Sequence, residues 1–549
     1  MEEIIIIGAG AAGLCAAWEL AKNHVHSVLV SDMPSKRAQS NMAEGGINAA
    51  FSSDTDSPEL HAEETLRAGR YLADAQAVHD LAENAPNIIE QLFSAGMSFS
   101  LNSDGKPDVR AFGGQSVKRT FYVASNTGKQ LMHTLIDQVR RYECTGLVRR
   151  MTGYLFLRLL RKEEQVCGCV FVHANTGKEI TFHGKVIVAS GGLNGMFGNA
   201  TGSVRNTGAV SASLFADGVA FANGEFIQYH PTTVPMHGKH LLITEAVRGE
   251  GGRLFALQDG KPSYFMEEKY PELGNLMPRD VIAREEWMLL QQGKQIWLDM
   301  RHLDKNIQQT KLRGVLNDCS QFLSLDPTKK PIPVVPGIHY FMGGIWVDRQ
   351  HRTTMRGLYA AGECACQYHG ANRLGGNSLL GAIYGGTIAA QSTMADSFKI
   401  PQVEDTHISK SVHAGKDGCY VDGILNLRHV LQHSLGIVRE ERTLQAALAE
   451  LQNLQEQMTY DASASVYENQ MLQNCNLLGQ ALLMSADARK ESRGAHNRSD
   501  FPEENSDYQK QTVARFDGKV INITLESAGE TNAHLELPLD EMQVRLNKF

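Results

Sequence analysis

The sequence predicts an α/β protein built on a Rossmann-like nucleotide-binding domain, and three stretches predict it. Residues 3–22, EIIIIGAGAAGLCAAWELAK, read as a buried strand, a tight glycine turn and a helix, with Gly8, Gly10 and Gly13 in G-x-G-x-x-G spacing. Residues 185–192, KVIVASGG, repeat the strand-to-glycine turn and bring Ala189 and Gly191 within reach of a bound dinucleotide. Residues 357–380 do so a third time: a strand over 358–361 runs into Gly362-Glu363, then a loop with Arg373, then a helix opening near Ser378 and Leu379. A strand ending in Gly-Glu places a carboxylate on a ribityl or ribose hydroxyl, and a helix start offers free N–H groups to an electron-rich ligand. The signature stops near 236 and returns only at Gly357. Residues 236–350 are therefore read as an α+β capping domain that interrupts a discontinuous nucleotide-binding domain of 1–235 and 351–415. Residues 416–549 form a C-terminal helical domain with a short tail.

Within this frame the elements follow in order. The second strand, 27–31, ends in Ser31-Asp32, where dinucleotide folds place an acidic ribose contact. Asp32 sits one position late, and Ser31 is the alternative for that contact. In SNMAEGGINAA, 40–50, Gly45-Gly46 either brings backbone against a flat ligand or simply turns the chain. Helical spacing over 57–100 is broken by RAFGGQSVKRT, 110–120, whose glycine pair is flanked by Phe112 and Gln115, and resumes over 129–142. Strands near 155–160 and 166–173 precede the KVIVASGG turn; Asn206-Thr207-Gly208 opens another helix, and FIQYHPT, 226–232, leaves the first domain. The insertion is mixed and contains LLITEAVRGEGGRLF, PRDVIAREEW and VPGIHYFMGGIWVD. Set over a cofactor domain, it makes a cleft, the usual place for a small ligand. Beyond 416, apolar positions at three and four spacing mark packed helices; RKESRGAHNRSDFP, 489–502, reads as a charged loop, and 511–549 as strands with a tail.

Composition removes several function classes. A chain of 549 residues exceeds one ordinary core and implies two to four domains. A net charge of −8, with no basic block or arm, argues against nucleic acid or an anionic membrane as partner. The nine cysteines form no C-x-x-C pair, and the C-x-C pairs Cys167/Cys169 and Cys364/Cys366 lack the spacing for zinc or iron–sulfur ligation, so no metal site is expected. Met1-Glu2-Glu3 lacks the cationic region of a signal peptide and no apolar run reaches membrane-spanning length. The expected location is cytoplasmic.

GAGAAG, SNMAEGGINAA, AFGGQSVKRT, FIQYHPT, ITEAVRGEGG, PRDVIAR, GIHYFMGG, GLYAAGE, HGANRLGGNSLL and RKESRGAHNRSDFP occur in one particular order. With them the chain resembles the flavoprotein subunits of succinate dehydrogenase and fumarate reductase from Ile4 to about Val513, with L-aspartate oxidase a close cousin. The resemblance implies FAD, contacted by Gly8, Gly10, Gly13, Gly45, Gly46, Glu363, Ser378 and Leu379. It also implies a dicarboxylate held by His230, Thr244, His339 and Arg373, with Phe112 either packed over it or part of the core. Arg279 is the implied proton donor, and Glu245 and Arg248 the relay that reloads it.

These residue types suit that chemistry. Reducing a butenedioate requires a hydride at one alkene carbon, from reduced flavin N5, and a proton at its neighbour from the opposite face. Charge-assisted hydrogen bonds of about 1.5–3 kcal/mol each orient the carboxylates and stabilise the charge that develops beside the reacting carbon. Arginine, with a pKa above about 12, is an unusual acid. The acceptor, however, is a carbanion-like centre more basic than any side chain, and Glu245 can return the proton quickly.

Three positions depart from the family pattern. Gln39 stands where covalent members attach the flavin through a histidine, which implies noncovalent FAD. Because the covalent link raises flavin potential and helps succinate oxidation, its loss points toward fumarate reduction. Ala209 replaces an aspartate usual after Asn-Thr-Gly, and Phe112 with Gln115 replace the acidic residue and histidine with which the aspartate-oxidising cousin reads its substrate. The expected function is an FAD-dependent fumarate reductase, the flavoprotein subunit of an electron-transfer complex. The alternatives are succinate dehydrogenase in the reverse direction, L-aspartate oxidase, or a flavin-containing binding module without catalysis. The chain has no haem motif or cluster ligands, so the resemblance implies a separate iron–sulfur subunit as electron donor, with any membrane association coming through partner subunits.

Overall fold

The computed structural model describes residues 3–124, 126–401, 403, 419–458 and 460–528. Met1-Glu2, the expected boundary at 415/416 and the tail beyond 528 lie outside the described residues. At its centre is an all-parallel sheet of five strands in the order Leu358–Ala360, Val186–Val188, Ile4–Ile7, Ser27–Ser31 and Val148–Thr152. Every residue of the first four is buried, which is why they read as unbroken apolar runs. Their side chains alternate between two cores. Ile4, Ile6 and Leu29 pack on the helices Ala11–Lys22, Thr127–Glu143 and Asn377–Ala395. Ile5, Ile7, Val28 and Val30 pack on an antiparallel sheet of Tyr154–Lys162, Gln165–His173 and Glu179–His183.

A second, antiparallel sheet of six strands runs Lys239–Leu242, Ile227–Met236, Ile332–Phe341, Ile296–Asp299, Arg253–Gln258, Lys261–Ser263. The strand Ile227–Met236 pairs within this sheet from Ile227 onward, so the sheet already takes in residues before the expected boundary at 235/236. Its pairing with Ile332–Phe341 slips between Gln228 and Tyr229 and again between His230 and Thr233. Such irregularities re-aim side chains, and here they flank the residues of interest. The helix Arg279–Gln291 packs against the same strand.

Cys419–Ser434, Glu441–Gln457 and Val466–Ala488 form the C-terminal helical cluster. Gln511–Phe516 and Ile521–Glu526 then return to the first domain, where Gln511–Phe516 pairs with Phe221–Ala222. The helical stretch expected over 57–100 is two helices, Pro58–Ala68 and Ala75–Ser94, started by Ser57 and Asp74 side chains that accept backbone N–H bonds. The charged segment 489–502 is largely irregular, as its composition suggested, yet Arg489, Glu491, Arg493, His496 and Arg498 are buried. Among the described residues no helix is long and apolar enough to cross a membrane.

Candidate active site

One cleft of about 480 Å³ opens between the C-terminal edge of the parallel sheet and the six-stranded sheet. Its nucleotide-side wall carries Gly8, Gly10, Ser31, Asp32, Gly45, Gly46, Ala189, Gly191, Glu363, Ser378 and Leu379. The backbone here suits a flat, phosphate-bearing ligand. Gly8 has φ +107°, and a Cβ on it would collide with the Ala189 carbonyl, so only glycine lets the first glycine turn meet the KVIVASGG turn. Gly13 does not line the cleft; it lies beneath, where its missing side chain lets the helix Ala11–Lys22 sit on Gly8. Neither that helix nor Asn377–Ala395 has a side-chain cap, so both point open N-terminal turns at the cleft edge. Ala11 N–H donates to Ser40 Oγ at 3.1 Å. Glu363 Oε1 accepts the Phe341 N–H at 3.2 Å, and burial raises its carboxyl to about 7. Ser31 ends its strand with Oγ donating to the Met33 carbonyl, while the more exposed Asp32 lies 3.6 Å from Arg205. These residues fit FAD.

Gln39 lines the same cleft, with Oε1 accepting the Ser203 N–H at 2.8 Å. Ala209 is the first residue of the helix Ala209–Ala216 and is not among the lining residues.

The other end of the cleft is lined by His230, Thr244, Glu245, Arg279, His339, Arg373 and Phe112. Arg279 donates from Nε and Nη2 to Glu245 Oε2 at 2.9 and 2.5 Å. Glu245 Oε1 accepts from Gly113 N–H and from Arg248 Nη2, both at 3.1 Å. Arg248 is fully enclosed behind Glu245 rather than on the cleft, and its Nη1 donates to the Asn275 carbonyl. Burial would raise the Glu245 carboxyl, but Arg279 and then Arg248 outweigh it and bring it down to about 2. Arg373 lies over the ring of Tyr340, 4.3 Å from its centroid, and burial, reinforced by Arg279, lowers it to about 9. The rings of His230 and His339 meet edge-on at 5.0 Å. Burial holds both well below the usual histidine range, helped at His230 by Arg279 and at His339 by His230, so both are neutral donors. Phe112 is 1% exposed and its ring packs where a side chain on Gly45 would stand.

Gln228 escapes a reading of the sequence. Its Oε1 accepts from Arg279 Nη1 and from Arg373 Nη2, each at 2.9 Å, so one amide oxygen ties together guanidinia from two domains. Its Nε2 donates to Asn372 Oδ1 and to the Arg373 carbonyl. Its place inside FIQYHPT, two residues before His230, is the signal that could have found it.

The fold and cleft define an FAD-dependent oxidoreductase. A family model for the FAD binding domain matches residues 3–379, and one for the fumarate reductase flavoprotein C-terminus matches 424–544. The chain is 37% identical to the succinate dehydrogenase flavoprotein subunit of Bacillus subtilis, covering 93% of each, and 34% identical to the fumarate reductase flavoprotein subunit of Mycobacterium tuberculosis, covering 92% and 93%. It superposes on a solved chain of E. coli quinol fumarate reductase with a TM-score of 0.86 at 28% identity, covering 97% of both. The chain belongs to the flavoprotein subunits of the succinate dehydrogenase and fumarate reductase family, oxidoreductases that act on a CH–CH bond.

Proposed function

We propose that this protein reduces fumarate to succinate as the FAD-carrying subunit of an electron-transfer complex. The observation that supports it most is the charge at the inner end of the cleft. Arg248, Arg279 and Arg373 converge there with one ionised carboxylate, Glu245, a buried excess of positive charge suited to a dianion. Arg373, His230, His339 and Thr244 hold the two substrate carboxylates, and Phe112 walls the cleft beside them. Reduced FAD, when bound, supplies a hydride from N5 to one alkene carbon. Arg279 gives the neighbouring carbon its proton, and a proton from Arg248 passes through the Glu245 carboxylate to restore Arg279.

Gln39 supports noncovalent FAD, since an amide offers no ring nitrogen for a flavin bond. Acid precipitation is expected to leave all yellow colour in the supernatant; colour retained in the pellet would contradict the reading. A noncovalent flavin in turn favours fumarate reduction. The 37% identity to a succinate dehydrogenase subunit favours succinate oxidation as the second reading. Phe112, apolar where an ammonium would need a carboxylate, sets aspartate below both. The electron donor on this reading is a separate iron–sulfur subunit, through which any membrane association arises.

The test is anaerobic. Fumarate should reoxidise the reduced protein at least about tenfold faster than succinate reduces the oxidised protein. The opposite ratio supports the dehydrogenase, aspartate turnover with oxygen supports the oxidase, and a flavin indifferent to all three is a binding module.

A further inference from the structure

Glu286 is a fully buried carboxyl, and neither of its oxygens has a hydrogen-bond partner. A group of this kind costs stability, and the structure gives it no packing reason to be there. It stands seven residues after Arg279 in the helix Arg279–Gln291, two turns along the same face. Arg248 is the charged group that acts on it, and Arg248 Nε is likewise buried without a partner. An orphaned donor and an orphaned acid that influence each other without a direct hydrogen bond are the pair of groups that a single bridging water would satisfy. The side chains then alternate in charge type: Arg279, Glu245, Arg248, Glu286.

We infer that the relay does not end at Arg248, and that Glu286 is its proton store, reached from Arg248 through a water. The inference rests on Arg279 being the proton donor. In each reductive turnover Arg279 loses a proton to carbon, Arg248 gives one to the Glu245 carboxylate, which hands it on to Arg279, and neutral Glu286 gives one to Arg248. Glu286 is left as a carboxylate and regains its proton from solvent before the next turnover. Burial raises the Glu286 carboxyl well above the usual carboxylate range, opposed by Arg248, the direction that favours a proton-holding store. Glu286 touches neither substrate nor flavin and acts through Arg248.

Holoenzyme carrying Glu286→Gln or Glu286→Leu tests this. Both variants should keep the wild-type KM for fumarate and lose about tenfold in kcat. The wild-type kcat should fall with rising pH as the store empties, and that fall should be missing from both variants. Glu286→Leu should also melt at a higher temperature than wild type, because it removes an unpartnered polar group. A merely structural residue would not give a more stable, slower enzyme with an altered pH profile. If both variants reproduce the wild-type kcat–pH profile while Arg279→Ala is inactive, the store is refuted and the donor assignment stands. If Arg279→Ala keeps its activity, the donor assignment fails and takes the store with it.

Discussion

Replacing Arg279 by alanine is expected to slow fumarate-dependent reoxidation of the reduced protein by about 10³-fold or more, with flavin content unchanged. A guanidinium carries five N–H groups. Three are committed, Nε and one Nη2 hydrogen to Glu245 and one Nη1 hydrogen to Gln228, so two remain for the cleft that Arg279 lines. On the proposed mechanism alanine removes both the proton source and a fixed positive charge from the cleft. General acids typically contribute about 10²–10⁴-fold, and preorganised charge adds to that. Arg279→Lys should recover little, because an ammonium cannot place two donors on Glu245 Oε2 and still reach Gln228. Stopped-flow mixing with fumarate without oxygen measures the step, and reoxidation by oxygen serves as the control. A loss of less than tenfold would remove Arg279 from the reaction.

Truncating Glu225 to alanine should give the largest loss of stability, about 3–5 kcal/mol. Glu225 is fully enclosed; Oε1 accepts from Arg489 Nε and Oε2 from Thr512 Oγ1, both at 2.6 Å. Arg489 also donates to Glu491 Oε1 and to the Tyr508 and Lys510 carbonyls, and Glu491 takes two bonds from Arg493. Removing Glu225 leaves the buried Arg489 Nε and Thr512 hydroxyl without their acceptor, and Glu491 as the one carboxylate still bonded to Arg489. Glu225→Gln keeps the shape and most of the bonding and should lose much less. Urea unfolding of the wild-type and both variant holoproteins measures the difference; a Glu225→Gln midpoint equal to wild type would show that the network contributes no stability through charge, and a Glu225→Ala midpoint equal to wild type would show that it contributes none at all.

How much of this was legible follows from the range of each interaction. The parallel sheet and its glycine turns were readable because their constraints are local. Four buried isoleucines followed at once by Gly8 admit few structures other than a central strand and a tight turn. The convergence of His230, Arg279, His339 and Arg373 was reachable through motifs, although no short-range pattern joins residues more than a hundred positions apart. Gln228 was hidden because an amide in an apolar strand carries no local sign that two arginines will share it. The burial of 489–502 was hidden for a similar reason. A run of charges looks solvated until its partners are known, and those include Glu225, from the other half of the chain, and Arg439. Glu286 was hidden inside PRDVIAREEW, where a glutamate on a charged helix looks like surface.

The Glu225–Arg489–Thr512 junction also bears on how the molecule is made. Glu225 stands two residues before the strand that presents Gln228 and His230, yet the side chains that hold its carboxylate are synthesised 264 and 287 positions later. Until residue 512 emerges, the base of that strand is held by Arg439, Met342 and Arg489, and the newborn polypeptide carries a nucleotide fold whose reaction chamber still lacks its last bond.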